Sequence, residues 1–393
     1  MAFGIYVSVP FCGSKCSFCN FASGVFSRQR MNQYMDRLRQ EIFQAEARAE
    51  HLGARFERRV DSIYLGGGTP TTMAPEQIQE IFQSIRRCFD VEAGAEITVE
   101  CAPGTLDPGM LDALLSVGTT RVSLGAQSFV DEEIRSVGRL HSSSQTLRDI
   151  ERLREAGIFN LNVDLIAGLP HQTAASWRFS LEQLARSAVP HASVYILEVD
   201  EDSRLGRELI AGGSRYHAHH VPDSDLTADL YLEAVEFLEG SGLDQYEISN
   251  FSRSGFSSRH NLKYWMRQPY LGFGLDAHSM LLSKRPSSDF ESVRFGNTDD
   301  LASYMADSAP PPVTVVNERQ SREESMFLRL RLNRGIDSKE LGSAILGNFA
   351  GEIQELVALN LLEWRDHRLR LTSSGRLLSN EVFEQFITTE PAA

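Results

Sequence analysis

Basic residues are in deficit. Lysine and arginine number 39 against 53 aspartate and glutamate, so the 393-residue chain carries a formal charge of −14. Such a surface repels a phosphate backbone, which argues against nucleic acid as a partner. Long apolar runs are missing too. No stretch reaches the roughly 20 residues that a helix needs to cross a bilayer. The opening residues, MAFGIYVSVPF, show neither a basic region nor a small-residue cleavage site and read as a strand, so the expectation is a cytoplasmic protein. Cysteine is scarce, with five in all. In a reducing compartment clustered thiols point to a metal or redox group rather than to a disulfide framework. What is present is a globular composition, 42% hydrophobic and 23% charged, in a chain long enough for one large domain with smaller attachments.

Over the first 200 or so positions, short β-rich runs alternate with amphipathic stretches. GIYVSVP (4–10), DSIYLGGG (61–68), EITVECAP (96–103), TRVSLGAQSF (120–129), FNLNVDLIAGLP (159–170) and HASVYILEV (191–199) read as strands. Residues 28–51, 74–89 and 143–157 read as helices; in the last, Leu147, Ile150, Leu153 and Ala156 recur at three-residue steps and Gly157 is a natural stop. This alternation implies an α/β fold with a parallel sheet and right-handed crossovers. A partial (β/α) TIM-like barrel over residues 1–240 fits best, and in such barrels function sits at the carboxyl ends of the strands. Residues 241–315 break the pattern, being polar, aromatic and glycine-punctuated, and they include a stiff run of prolines at 310–312. A small C-terminal α+β unit is expected over 316–393; its end reads strand, turn, strand, helix, in the manner of a winged helix. Winged helices often bind DNA, but the acidic chain makes packing the expected role.

Three of the five cysteines fall in PFCGSKCSFCNF (10–21), as Cys12, Cys16 and Cys19. A structural zinc site takes four ligands, and this run supplies three. A zinc site completed by Cys88 or Cys101 is an alternative, as is a chance group of buried thiols. Iron–sulfur clusters are held by thiolates, and three thiolates on a 4Fe–4S cluster leave one iron open. GGGTPT (66–71) lets main chain approach a ligand or simply makes a tight strand-to-helix turn. Glu100, Gln127, Arg139 and Asp164 are polar residues late in strand candidates or just after them. Buried carboxylates need partners, which a ligand or an internal network of Glu100, Arg139 and Asp164 would supply.

The C-x3-C-x2-C run after a first barrel strand resembles the signature of radical S-adenosylmethionine (SAM) proteins. The order and spacing of the later residues resemble the anaerobic coproporphyrinogen III oxidase-like branch of that superfamily. The resemblance implies a 4Fe–4S cluster on Cys12, Cys16 and Cys19. It implies SAM beside it, with Tyr6 next to the cluster and Phe18 near the adenine. Gly67, Gly68 and Thr69 would hold the methionine moiety, and Glu100, Gln127, Arg139 and Asp164 would complete the site.

Two departures bear on which member this is. The porphyrinogen-oxidising members carry a fourth cysteine two positions after the third, where this chain has Phe21, and a longer N-terminal extension, where it has five residues before Tyr6. HNLKYW, holding His260, Asn261, Tyr264 and Trp265, is similar to the HNxxYW motif of HemW-type heme chaperones. That likeness implies heme as a ligand with His260 on its iron, and apo-hemoproteins, including membrane respiratory enzymes, as recipients. Judged by residue types alone, the motif is better read as a structural turn with His260 and Asn261 bonded to backbone and Tyr264 and Trp265 in the core. His278 is the second candidate for the iron. LGFGLDAHS departs from the usual Pro-Gly of this branch at Leu275 and Asp276, and Cys101 stands where an Asn is usual. RYHAHH (215–220) hints at a metal but reads better as a solvated loop. The resemblance leaves open peripheral membrane association, a homodimer and productive SAM cleavage. Oxygen-independent oxidation of coproporphyrinogen III is the alternative function, and a radical methyltransferase a third.

Overall fold

The computed structural model describes residues 1–307 and 312–387. The prolines at 310 and 311 lie outside the described residues, as do the final positions 388–393. Six parallel strands lie side by side in chain order: β1 (Phe3–Val9), β2 (Arg59–Gly67), β3 (Asp90–Cys101), β4 (Arg121–Gln127), β5 (Asn160–Ala167) and β6 (His191–Ile196). These are the runs read from the sequence, with β3 starting earlier. The stretch 28–51 forms two helices, Arg28–Phe43 and Ala45–His51, divided at Gln44.

The sheet extends at both edges. Beyond β6 come β7 (Asp244–Glu247) and β8 (Asn250–Ser252), antiparallel, with β8 against β6. Beyond β1 comes β9 (Tyr270–Phe273), a seventh parallel strand, followed by antiparallel β10 (His278–Ser287), β11 (Phe290–Gly296) and β12 (Val313–Val316). The order β12-β11-β10-β9-β1-β2-β3-β4-β5-β6-β8-β7 has two free ends. The protein is therefore a partial barrel of the TIM-like type.

Alternation along each strand decides what faces where. Ile5, Val7 and Val9 of β1, Ile63 and Leu65 of β2, Val99 of β3, Val122 and Leu124 of β4, and Val163 and Leu165 of β5 are all buried in the main core under the helices. The residues between them are polar or aromatic: Tyr6, Ser62, Tyr64, Glu96, Thr98, Glu100, Arg121, Ser123, Asn162, Asp164 and Ser193. Several of them bond one another and a helix inserted from residues 259–265, so the concave side of the sheet is a polar lumen.

The C-terminal unit has its own sheet, β13 (Ile336–Asp337), β14 (Leu362–Arg365) and β15 (Arg368–Leu371), in the order β13-β15-β14. Its core gathers Met326, Leu330, Ile336, Leu356, Leu369 and Phe386. Each such buried side chain contributes about 1.5–3 kcal/mol. The β14–β15 hairpin followed by short helices gives it a winged-helix-like form. It is joined to the barrel through Arg267, whose Nε lies 2.7 Å from Glu324 Oε2, and through Arg331, whose guanidinium sits 4.2 Å from the Trp265 ring centroid.

Candidate functional site

The cysteine loop leaves β1 at its carboxyl end. Cys12 N donates to Gly24 O and Gly24 N to Pro10 O, both at 2.9 Å, which pins the loop base. Ser17 N donates to Val137 O (3.0 Å), Ser14 Oγ to Gly138 O (2.8 Å), and Leu205 N to Ser17 O (2.8 Å). The loop is thus held between the segment after β4 and the segment after β6. Cys12, Cys16 and Cys19 are free thiols, with Cys16 buried and the other two partly so. Thr69 Oγ1 stands 3.9 Å from Cys12 Sγ, and Ser23 Oγ 3.8 Å from Cys19 Sγ. Cys88 instead neighbours Arg58 and Glu46, and Cys101 neighbours Thr71 and Thr105, with burial pushing its thiol up to about 12.

The glycine run meets this loop edge-on. Gly67 has φ +100°, and a Cβ there would lie 2.9 Å from Ser8 Oγ. At Gly68 it would lie 2.7 Å from both Val9 O and Phe11 O and 3.0 Å from Cys12 Sγ. Gly68 N donates to Val9 O and Thr69 N to Phe11 O. In the protein as it stands, these glycines let the end of β2 close on the end of β1 and on Cys12. Of the two sequence readings, the tight turn is what the structure displays, with the end of β1 and Cys12 Sγ as the crowding atoms.

The remaining predicted residues converge on the same mouth. Glu100 accepts from Tyr64 Oη (2.9 Å) and Gly67 N (3.1 Å). Asp164 accepts from Asn162 Nδ2 (2.6 Å) and Ser123 Oγ (3.2 Å). Gln127 ends β4 at φ +67°, a left-handed conformation that is costly for a residue with a side chain and that clusters at functional sites. A Cβ on Gly125 would stand 3.1 Å from Gln127 Nε2 and 3.2 Å from an Arg139 guanidinium nitrogen, which places those two side chains together. Phe18 packs on Val137, Ile166 and Leu169. Glu100, Arg139 and Asp164 do not form the internal ion-pair network: none of the salt bridges among the described residues joins them.

The electrostatics at this mouth are unbalanced. Burial, and next the Asp164 charge, push the Glu100 carboxyl up to about 7. Burial also raises Asp164. It raises the Cys12 and Cys16 thiols as well, against Ser23 and Thr69 at Cys12 and Arg139 at Cys16. Arg139 Nε is buried with no hydrogen-bond partner. Two carboxylates raised by burial despite Arg139 and Arg121 nearby, a guanidinium with an unpartnered Nε and three neighbouring thiols fit a thiolate-held metal cluster beside a zwitterionic cation. No three His, Cys, Asp or Glu groups among the described residues converge on one ion. A cubane asks for less, one thiolate per iron.

His260 is placed elsewhere. The helix Arg259–Trp265 enters the lumen at the amino ends of the strands, opposite the cysteines. Glu96 Oε1 accepts from His260 N and its Oε2 from Arg259 N, both at 3.0 Å, capping the first turn. Lys263 Nζ pairs with Asp61 at 2.7 Å. The His260 ring is 1% exposed; Nδ1 lies 3.0 Å from Ser62 Oγ and Nε2 2.9 Å from Tyr264 Oη. Burial, then Lys263 and Arg121, lower its pKa to about 3, so the ring is neutral. The ring bonds side chains rather than backbone, and Tyr264 and Trp265 are only partly buried. His278, by contrast, is 70% exposed, and its Nε2 lies 3.8 Å from Asp276.

Sequence reasoning missed the lumen residues. Asn162 links Ser123 (2.7 Å), Ser193 (3.0 Å) and His191 (2.6 Å), and His191 reaches Tyr246 Oη at 2.9 Å. The signal was present as polar residues at every second position of five successive strands.

A family profile described as the radical SAM superfamily matches residues 6–184, and one described as the HemN C-terminal domain matches 316–378. A Bacillus subtilis protein named heme chaperone HemW is 31% identical over 97% of this chain and 98% of its own. A Lactococcus lactis protein of the same name is 29% identical over 97% and 96%. The solved structure of coproporphyrinogen III oxidase (HemN) from Escherichia coli, described as a radical SAM enzyme, matches 98% of this chain and 90% of its own, with a TM-score of 0.80 and 25% identity. The likeness runs from end to end rather than through the barrel alone, and the chain belongs to the HemW family of the radical SAM superfamily.

Proposed function

We propose that this protein is a heme carrier that binds heme and hands it to apo-hemoproteins, on a scaffold that holds a 4Fe–4S cluster and SAM. The observation that carries this reading is the end-to-end similarity to proteins named heme chaperone. HNLKYW and the replacement of a fourth cysteine by Phe21 support it. Cys12, Cys16 and Cys19 would supply the thiolates. When bound, the cluster would supply an electron for the sulfonium. Glu100 would receive the ammonium and Arg139 the carboxylate, each a charge opposite to its own. Asp164 would take ribose hydroxyls, and Phe18 would lie on the adenine.

In this reading His260 takes heme iron only after the helix Arg259–Trp265 leaves the lumen, which breaks the bonds to Ser62 and Tyr264. His278 needs no such movement. The test is a heme titration of cluster-loaded protein followed at the Soret band, with His260→Ala and His278→Ala beside wild type. Saturable, stoichiometric binding that weakens in one of the two variants supports the carrier and assigns its ligand. No saturable binding overturns it. The fold shared with HemN motivates a second reading, oxidation of coproporphyrinogen III, assayed anaerobically with reductant on the same sample. Turnover without stable heme binding would establish that reading instead.

A further inference from the structure

RYHAHH does not stand alone in the folded chain. The turn after β5 carries His171 to the same place. His171 N donates to His220 O at 2.9 Å, tying the two segments by backbone. The His171 ring centroid lies 4.0 Å from that of His220 and 5.0 Å from that of His217, and His219 lies 4.0 Å from His220. Four imidazoles from two separate segments therefore form one surface group, with His217, His219 and His220 exposed. His171 Nε2 and His217 Nδ1 are 3.0 Å apart. Two nitrogens on one tetrahedral zinc ion, each at ~2.0–2.1 Å, stand roughly 3.3–3.4 Å apart, a few tenths of an ångström wider than this pair and within reach of a small ring rotation.

The backbone holds this arrangement against its own preference. His171 (φ +67°), Tyr216 (φ +54°) and His217 (φ +61°) are all left-handed, and none is glycine. The group sits on the rim of the barrel mouth. The Tyr216 ring lies 5.3 Å from the guanidinium of Arg204, which itself donates to Lys15 O inside the cysteine loop. A 3.0 Å separation also describes a hydrogen bond between two imidazoles, but such a bond does not call for two more rings stacked beside it.

We infer that His171 and His217, with His219 and His220, form a second metal site on the rim, for a divalent transition-metal ion of the class that prefers imidazole, such as Zn2+. No three ligating groups among the described residues meet at one point as placed. His171 and His217 accordingly provide the initial bite, and the stacked rings of His219 and His220 turn in to complete the shell.

The experiment uses cluster-loaded protein, so that the cysteines are occupied, and titrates ZnCl2 calorimetrically at neutral pH. The expected result is one Zn2+ per chain, with affinity falling about 30-fold or more in His171→Ala/His217→Ala and about fivefold in His219→Ala/His220→Ala. The cluster absorption of both variants should match wild type and the melting temperature stay close to it, because His217, His219 and His220 are exposed and His171 is only partly buried. Absence of zinc binding in wild type, or equal isotherms in wild type and the His171/His217 variant, overturns the site. A heme titration of the same variants separates heme iron from a free ion. Lost heme affinity with unchanged zinc affinity would assign the imidazoles to heme and overturn the divalent site.

Discussion

The two ends of the barrel lumen are built from similar residues and are in opposite states. At the amino ends of the strands, Glu96, Ser62, His260, Tyr264, Lys263 and Asp61 are buried or partly buried and engaged with one another. At the carboxyl ends, burial raises the Glu100 carboxyl to about 7, Asp164 is raised too, Arg139 Nε has no partner and three thiols, one buried and two partly so, sit unbonded to one another. A buried polar group costs free energy unless it is paired. The amino end meets most of that cost with its own side chains, leaving Arg121 Nε and Thr98 Oγ1 unpartnered, whereas in the proposed reading a ligand meets the rest of it at the other end. The difference distinguishes a carboxylate that caps a helix from one raised by burial where residue type does not, since Glu96 and Glu100 are the same amino acid four positions apart on one strand.

The largest effect that sharpens this contrast is loss of the cluster. Alanine at Cys12, Cys16 or Cys19 should each reduce reconstituted iron and sulfide close to zero, because a cubane held by two thiolates has no third anchor. Alanine at Cys88 or Cys101 should leave both near wild type. Iron and sulfide analysis after anaerobic reconstitution reads the outcome. Retained iron in a Cys16→Ala protein would remove Cys16 from the ligand set.

The barrel was legible in the sequence because its strands bury one face and its helices one stripe, and both periods survive in the apolar residues. The cysteine loop was legible because its chemistry is local, three thiols on eight residues. What was not legible depends on distant pairings. β9 is a four-residue strand that exists by virtue of β1 beside it. The role of Glu96 follows from meeting residues 258–260, more than 160 positions away. His171 joins the histidines of RYHAHH across a 46-residue separation that no spacing rule spans. HNLKYW was readable as a motif, but which end of the lumen it enters is a property of the folded sheet.

At the amino end the corresponding break is His260→Ala. It removes a packed ring and strands Ser62 Oγ and Tyr264 Oη, so unfolding should become easier by about 2–4 kcal/mol while cluster content is retained. Thermal or urea unfolding followed by circular dichroism measures it. Acid should act in the same direction. The unfolded ring takes a proton near pH ~6.5, and the native ring only near 3. Between those values the unfolded state binds the extra proton, so stability is full above the upper one and falls as pH drops toward the lower. His260→Ala should be less stable at neutral pH and have a shallower acid limb. Equal slopes would mean that the ring is not held neutral.

The smallest effect belongs to Glu100, and it tests whether the unmet charge at the mouth is met by SAM. A cationic ammonium favours the carboxylate, so binding lowers a pKa that stands at about 7 in the free protein. Below that value each bound ligand must displace a proton. SAM affinity should therefore rise with pH through 7 and level off above it, losing up to about tenfold per pH unit on the acid side. Glu100→Gln should bind more weakly at pH 7.5 and lack the rise through 7, since its amide neither titrates nor carries the charge, leaving only the ligand's own ammonium to titrate near pH ~8. Calorimetric titration of SAM into cluster-loaded protein from pH 5.5 to 8 distinguishes the cases. A wild-type profile already flat, or a Glu100→Gln profile that still bends at 7, would place the ammonium elsewhere. It would also leave the raised carboxyl as a feature of the empty lumen alone.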